Sequence, residues 1–362
     1  MTKGLYLHIP FCERKCNYCD FYSGSFTAEL RKGYVDKLCS EIEKWGRLNT
    51  CPIDTIYFGG GTPSLLSPEE LSKIMDTVRA SFVITDDAEI TCEVNPGDDS
   101  VFLETAATLG INRLSIGIQS SSEKELKLLG RRHSFFDAVK TVEIAKKLGI
   151  TNISADLMIG LPDSNTETLE SSISDILSLN IPHISSYILK IEEGTPFYKS
   201  GITLPDDDSV ADQYLYICKR LEEAGYCHYE ISNFAKWGFE SRHNNKYWQT
   251  EEYIGIGPSA HSFFNGRRFY YPRSIEAFIN SAETVDDGIG GDREEFVMLA
   301  LRLSKGLIFS EYEKRFGKLS DKLIERARLL KGLCLVDNTS IRLTDEGMLI
   351  SNNIITNLLE VI

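Results

Sequence analysis

No apolar run in this 362-residue chain approaches the roughly 18 residues that cross a bilayer, which excludes a spanning helix. A secretory leader is missing too. The first apolar stretch is short, carries His8 and runs straight into cysteines, so the chain is expected in the cytoplasm, with any membrane contact peripheral. Positive charge is scarce: 39 Lys and Arg stand against 53 Asp and Glu, a net charge of −14. No long basic stripe offsets the acid, which argues against broad binding to nucleic acid, so no nucleic-acid partner is expected, and an anionic ligand must be met by local Arg or Lys. Internal repeats and low-complexity linkers are absent. Nine cysteines in a chain of this size, without a leader, read as free thiols or metal ligands rather than disulfides. Six of them (Cys39, Cys51, Cys92, Cys218, Cys227, Cys334) lack ligand spacing and read as small buried hydrophobes.

What is present is a globular composition, 42% hydrophobic and 25% charged, in a chain long enough for one large α/β domain plus smaller modules. Its first half alternates strand and helix signals. Strands are expected at "LYLHI", "DTIYFGGG", "AEITCEVNP", "NRLSIGIQS", "NISADLMIGLP" and "HISSYILKIE". Helices are expected over Phe26 to about Trp45, after Ser67 with Pro68 and Glu70 completing a start signal, up to Gly149, and over about 165–179. Six such units predict a parallel sheet. They are too few to close an eight-stranded barrel, so the fold class is α/β, a partial (β/α)6 barrel with functional residues at the carboxyl ends of its strands. That core is expected over 1–200. Residues 201–290 form an accessory α+β region, a helix over about 207–224 followed by aromatic, irregular sequence. Residues 291–362 form a winged-helix-like module of short helices and a hairpin turning at Asn338. The acidic charge favours packing or protein interaction over DNA binding for that module.

Directly after the first strand, "HIPFCERKCNYCDFYS" places Cys12, Cys16 and Cys19 at C-x3-C-x2-C. Zinc would want four ligands, and no second Cys/His pair stands nearby at zinc spacing. Three thiolates on one short loop fit a [4Fe–4S] cluster with one iron left open for a small molecule. "GGGTP" at 59–63 ends the second strand, where glycines admit a ligand closely and leave N–H groups for a carboxylate. Glu93, Gln119 and Asp156 also stand at strand ends, able to bind an amino group or ribose hydroxyls, or merely to cap a helix.

The cysteine spacing, with Tyr18 before the last cysteine, resembles the signature of radical S-adenosylmethionine enzymes. In that superfamily the open iron is chelated by the methionine part of S-adenosylmethionine, which is cleaved to a 5′-deoxyadenosyl radical. "LYLHIPFC", "FGGGTPS", "EVNP", "LSIGIQS", "LGRRHS" and "DLMIGLP" resemble the oxygen-independent coproporphyrinogen III dehydrogenase group and its relatives over nearly the whole chain. By that resemblance Tyr6, Gly60 and Glu93 would contact one S-adenosylmethionine. Gly61, Thr62, Gln119, Arg131 and Asp156 match positions that hold a second one in the dehydrogenase.

Two departures separate the chain from the dehydrogenase. That enzyme's motif continues to a fourth cysteine, where this sequence has Phe21, and the enzyme has an N-terminal extension, where only eleven residues precede Cys12 here. Both departures match the HemW haem chaperone family. A third feature agrees: "HNNKYW" at 243–248 resembles the H-N-x-x-Y-W pattern tied to haem binding in that family. A neutral imidazole is a good axial ligand, Tyr247 and Trp248 offer flat apolar surface, and Arg242, Lys246, Arg267 and Arg268 could pair with propionates. The expectation is a haem chaperone, with His243 as haem ligand, delivering haem to apo-haem proteins of the respiratory chain at the membrane. The alternatives are the decarboxylating enzyme itself or a radical enzyme with another substrate. A homodimer stays open.

Overall fold

Leu5, Leu7 and Ile9 are fully buried on one face of the first strand, while Gly4, Tyr6 and His8 alternate on the other. The same two-residue period recurs along the sheet. Ile56 and Phe58, Leu114 and Ile116, and Ile153, Ala155 and Leu157 pack outward under helices. The intervening positions are polar or small and turn inward. The computed structural model describes residues 2–98 and 100–362.

Six parallel strands lie in sequence order: β1 (Lys3–Ile9), β2 (Ile53–Gly60), β3 (Ile84–Val94), β4 (Arg113–Gln119), β5 (Asn152–Ile159) and β6 (His183–Ile188). Their crossovers are α1 (Ala28–Leu48), α2 (Pro68–Ser81), α3 (Ser100–Thr108), the pair α4 (Glu123–Leu129) and α5 (Phe135–Lys147), and α6 (Thr166–Ser178). The start signal of α2 is realised as a reciprocal cap. Glu70 N donates to Ser67 Oγ at 3.2 Å and Ser67 N to Glu70 Oε2 at 2.8 Å. Register brings Tyr6 beside Tyr57, Glu93 beside Ser115 and Asp156 beside Ser185, so these side chains share the inner face.

The sheet does not close on itself. Beyond β6 come α7 (Pro196–Ser200) and α8 (Asp207–Glu223), then the short strands β7 (Cys227–Glu230) and β8 (Asn233–Ala235), with β8 antiparallel to β6. α9 (Arg242–Trp248) follows, and β9 (Tyr253–Ile256) adds parallel to β1 on the opposite edge. β10 (His261–Phe264), β11 (Arg267–Tyr270) and β12 (Val285–Ile289) extend that edge as an antiparallel meander. The stretch that reads as irregular in sequence thus supplies both flanks of one twelve-stranded sheet. Strands of three to five residues carry too few alternations to register as strands. Long-range pairing defines them instead.

The C-terminal part holds β13 (Leu307–Ile308), β14 (Cys334–Val336) and β15 (Ser340–Leu343) as a small antiparallel sheet among helices. Asp337 organises the hairpin turn, accepting from Thr339 N at 2.7 Å and Ser340 N at 2.9 Å. Where one last helix is expected there are two, Asp345–Leu349 and Ser351–Leu359. His228 of β7 bonds Asp345 at 2.8 Å, and Ile231 N donates to Arg302 O at 3.0 Å, joining this part to the barrel.

Candidate functional site at the barrel mouth

The loop from β1 to α1 is tied at both legs. Cys12 N donates to Gly24 O at 2.8 Å and Gly24 N to Pro10 O at 2.9 Å. Its tip is anchored through Asn17, whose N and Nδ2 donate to Leu129 O (3.0 Å) and Leu128 O (2.8 Å) at the end of α4. Phe197 N of α7 donates back to Asn17 O at 2.9 Å. Cys12, Cys16 and Cys19 are free thiols, and all three line one cavity of about 530 Å³ at the carboxyl end of the strands. Burial pushes the Cys19 thiol up to about 11, so a metal taken up there must displace a proton. Three sulfur donors from one anchored loop, facing one cavity, fit a cluster with an open iron. Cys12 Sγ lies 3.6 Å from Thr62 Oγ1, and the Arg131 guanidinium reaches Cys16 Sγ at 3.4 Å.

The glycine turn explains itself by contact with that loop. A Cβ on Gly61 would lie 2.6 Å from Phe11 O, and one on Gly60, whose φ is +112°, would strike the His8 ring. The expected vacant N–H groups are not vacant. Gly60 N donates to Glu93 Oε2 at 3.1 Å, Gly61 N to Ile9 O at 2.8 Å and Thr62 N to Phe11 O at 2.7 Å. The turn's glycines let the cysteine loop pack on β2, and its donors are spent on doing so.

Glu93, Asp156, Gln119 and Arg131 all line the same cavity with Gly60, Gly61 and Thr62. Glu93 accepts from Tyr57 OH at 2.8 Å, and burial raises its carboxyl to about 7. Burial likewise lifts Asp156 to about 6, although Ser115 Oγ donates to it at 3.3 Å. Gln119 ends β4 with φ +72°, a left-handed backbone that a non-glycine residue adopts at a cost. Arg131 is held by Asn95 Oδ1 at 2.7 Å and by Gly117 O. Tyr6 lies one layer deeper, its OH 3.0 Å from His8 Nδ1. Sequence reasoning missed Tyr57, Ser115, Gly117 and Tyr187, which also line the cavity. Counting every second residue back from Gln119 at the end of β4 would have found Gly117 and Ser115. The outer wall is apolar, with Tyr18, Met158, Ile188 and Leu189, and Phe21 stands at the rim with 68% of its surface exposed.

His243 is not at this mouth. It sits in α9 at the opposite end of the barrel, 1% exposed, with its ring 5.2 Å from that of Tyr57 and 6.4 Å from that of Tyr6. Nδ1 lies 2.9 Å from Thr55 Oγ1 and Nε2 lies 2.7 Å from Tyr247 OH. Its backbone N–H, with that of Arg242, donates to the Glu89 carboxylate at 3.0 and 3.1 Å. Burial pushes the imidazole down to about 3. It is therefore neutral, but neither nitrogen is open to an incoming iron in this conformation. Tyr247 packs on Tyr253 with ring centroids 4.5 Å apart. The expected propionate partners are also engaged: Lys246 with Asp54 and Glu251 at 2.9 Å each, Arg242 with Asp87 at 3.5 Å, Arg267 with Asp286 and Arg268 with Glu295.

An open parallel half-barrel with three thiols at its carboxyl mouth is the architecture of a radical S-adenosylmethionine protein, and the family model described as the radical SAM superfamily matches residues 6–176. A second model, the HemN C-terminal domain, matches residues 292–350. Within this superfamily the chain belongs to the HemW family. It is 34% identical to the heme chaperone HemW of Lactococcus lactis over 96% of this chain and 95% of that protein. It is also 34% identical to that of Bacillus subtilis, covering 97% and 98%, and 42% identical to that of Escherichia coli, covering 73% and 71%. The solved coproporphyrinogen III oxidase (HemN) of Escherichia coli shares the fold, with a TM-score of 0.84 over 99% of this chain and 90% of that one at 23% identity.

Proposed function

We propose that this protein binds haem and passes it to haem-free acceptor proteins, on a radical S-adenosylmethionine scaffold. The observation that carries this reading is the end-to-end similarity to the heme chaperones of two bacteria. The acceptors we infer are apo-haem proteins of the respiratory chain, met at the membrane. Among the described residues no helix is long and apolar enough to cross one, so the contact would be peripheral.

In this reading Cys12, Cys16 and Cys19 hold a [4Fe–4S] cluster, and S-adenosylmethionine occupies the mouth cavity, whose 530 Å³ falls within the roughly 300–1,000 Å³ of ligand pockets. Together these groups supply one-electron chemistry. The chain's part is to bind and exclude water. Gly60 and Glu93, with Tyr6 beneath them, would face one S-adenosylmethionine. Gly61, Thr62, Gln119, Arg131 and Asp156 line the side where a second copy would sit. A carboxyl that titrates near neutrality, as Glu93 does at about 7, can accept from or donate to a ligand amino group. His243 can serve as a haem ligand only after α9 leaves the barrel floor.

The enzymatic alternative, oxidative decarboxylation of coproporphyrinogen III, keeps the same cluster and cavity. One experiment separates the two. Anaerobically reconstituted protein is assayed with coproporphyrinogen III while the same sample is titrated with haem. Stoichiometric haem binding without protoporphyrinogen formation is expected. Turnover without haem binding would reverse the assignment.

A further inference from the structure

Six histidines are present in the chain, and the fold closes four of them to a metal porphyrin. His8 is bonded at both nitrogens, to Tyr6 OH (3.0 Å) and Tyr22 O (2.8 Å). His183 is likewise held by Ser154 Oγ (2.7 Å) and Tyr229 OH (2.9 Å), and His243 by Thr55 and Tyr247. His228 gives Nδ1 to Asp345, and its Nε2 is buried. His133 bonds Ile118 O at 3.0 Å and faces a recess walled by Glu13, Arg14, Asp98 and Arg132, a charged setting foreign to an apolar ring. His261 differs. It is exposed and bonds no other described residue through either ring nitrogen, and its ring contact is a stack on Tyr270, with centroids 5.1 Å apart and planes at 27°.

Its place in the sheet matters as much as its freedom. β9 runs parallel to β1, so β10, antiparallel to β9, begins at the end where the cysteine loop leaves β1. Phe263 pairs with Tyr253, the His261 carbonyl closes against Gly255, where a Cβ would strike it, and Gly255 pairs with Tyr6. On the other side His261 pairs with Tyr270, and Tyr270 with Val285. Directly opposed residues share a face. One cross-strand row of His261, Tyr270 and Val285 therefore lies on the open edge, and the His261 backbone abuts Gly255, the neighbour of Tyr6. Val285 is 40% exposed. The three residues of that row span two strand spacings, about 10 Å, the scale of a flat macrocycle. Partial desolvation, with Arg268 nearby, holds the His261 imidazole below its ordinary value against the pull of Asp287, which favours the neutral, ligating form.

We propose that His261 is the axial ligand through which the protein takes up haem, with Tyr270 and Val285 as the platform beside it. The proposal rests on the haem-binding reading above. The test is a haem titration of the full-length, cluster-loaded protein, followed by its absorption and spin-state spectra, for wild type, His261→Ala and His243→Ala. In His261→Ala the spectrum of the histidine-ligated iron should be lost, affinity should fall by about tenfold or more, added imidazole should restore the spectrum, and cluster iron should not change. A His261→Ala protein with wild-type spectrum and affinity overturns the proposal. So does a His243→Ala protein that keeps its cluster yet alone loses the ligand signature. Wild-type protein that binds no haem at all defeats the chaperone reading itself, which sets that failure apart from the others.

Discussion

At the carboxyl end of the barrel the polar side chains face open space, and at the amino end they face one another. Glu93, Asp156, Gln119 and Arg131 border a 530 Å³ cavity. At the floor His243, Thr55, Tyr247 and Glu89 satisfy each other through bonds of 2.7 to 3.0 Å, and Lys246 pairs with Asp54 at 2.9 Å. Both sets are at least partly buried, yet only the mouth set borders a cavity. The space each end faces separates a place that can take a ligand from a place that closes a barrel.

Emptying each end should therefore have opposite consequences. Replacing Cys12, Cys16 and Cys19 together by alanine should abolish the cluster, seen as loss of iron and of its absorption, with the fold retained. A full cluster in that variant would place it elsewhere in the chain. Next in size is Gly61→Ala. A Cβ 2.6 Å from Phe11 O must push the cysteine loop off β2, so reconstituted iron should fall severalfold and the melting point should drop. His243→Ala attacks the floor. It removes a buried ring and leaves Thr55 and Tyr247 hydroxyls unpaired, for a loss of about 2–4 kcal/mol in denaturant unfolding. Cluster content should stay as in wild type. If stability is unchanged, the floor is not the closed structure described here.

This contrast also marks how far the sequence could be read. The six parallel strands, their helices and the Ser67–Glu70 cap were legible because each depends on a local pattern. The cysteine spacing was legible for the same reason: three ligands on one loop need no knowledge of the rest of the chain. The glycine turn was half legible. Its close approach was foreseeable, but that its N–H groups go to Ile9 and Phe11 depends on how a second segment packs. "HNNKYW" was read as a ligand site from its resemblance to a family pattern, whereas Thr55 and Glu89, far away in sequence, occupy the groups it offers. The flanking strands β7 to β12 were invisible for want of length.

The two ends also answer pH in opposite senses. Glu93 moves from an ordinary 4.5 to about 7, and Asp156 from 3.8 to about 6. The folded state thus holds these protons more tightly than the unfolded one. Their stabilising contribution is complete below about pH 4 and is lost as pH rises through 6 to 7. His243 moves from 6.5 to about 3. Its contribution is complete above about pH 6.5 and is lost as pH falls toward 3. Glu93→Gln should therefore stabilise the ligand-free protein at pH 8 by on the order of 1–2 kcal/mol, and the gain should vanish near pH 4. A gain that is the same at both pH values would mean the carboxyl charge is not its source.

The smallest effect should come from the residue that departs most visibly from the related enzyme's motif. Phe21 is 68% exposed at the rim, and its backbone carbonyl accepts only a long 3.4 Å bond from Ser23. Little packing depends on its side chain, so Phe21→Cys should change stability by no more than about 0.5 kcal/mol. The new thiol would follow Cys19 by two residues at the mouth, yet the cluster's three ligands are already supplied by an anchored loop. Catalysis depends on a positioned constellation rather than on one added group. Coproporphyrinogen III should therefore remain unconverted by the variant, as by wild type, under anaerobic conditions with reductant and S-adenosylmethionine. Protoporphyrinogen formed by the variant alone would show that Phe21 holds back an otherwise complete active site, and the open mouth would then be a catalytic one.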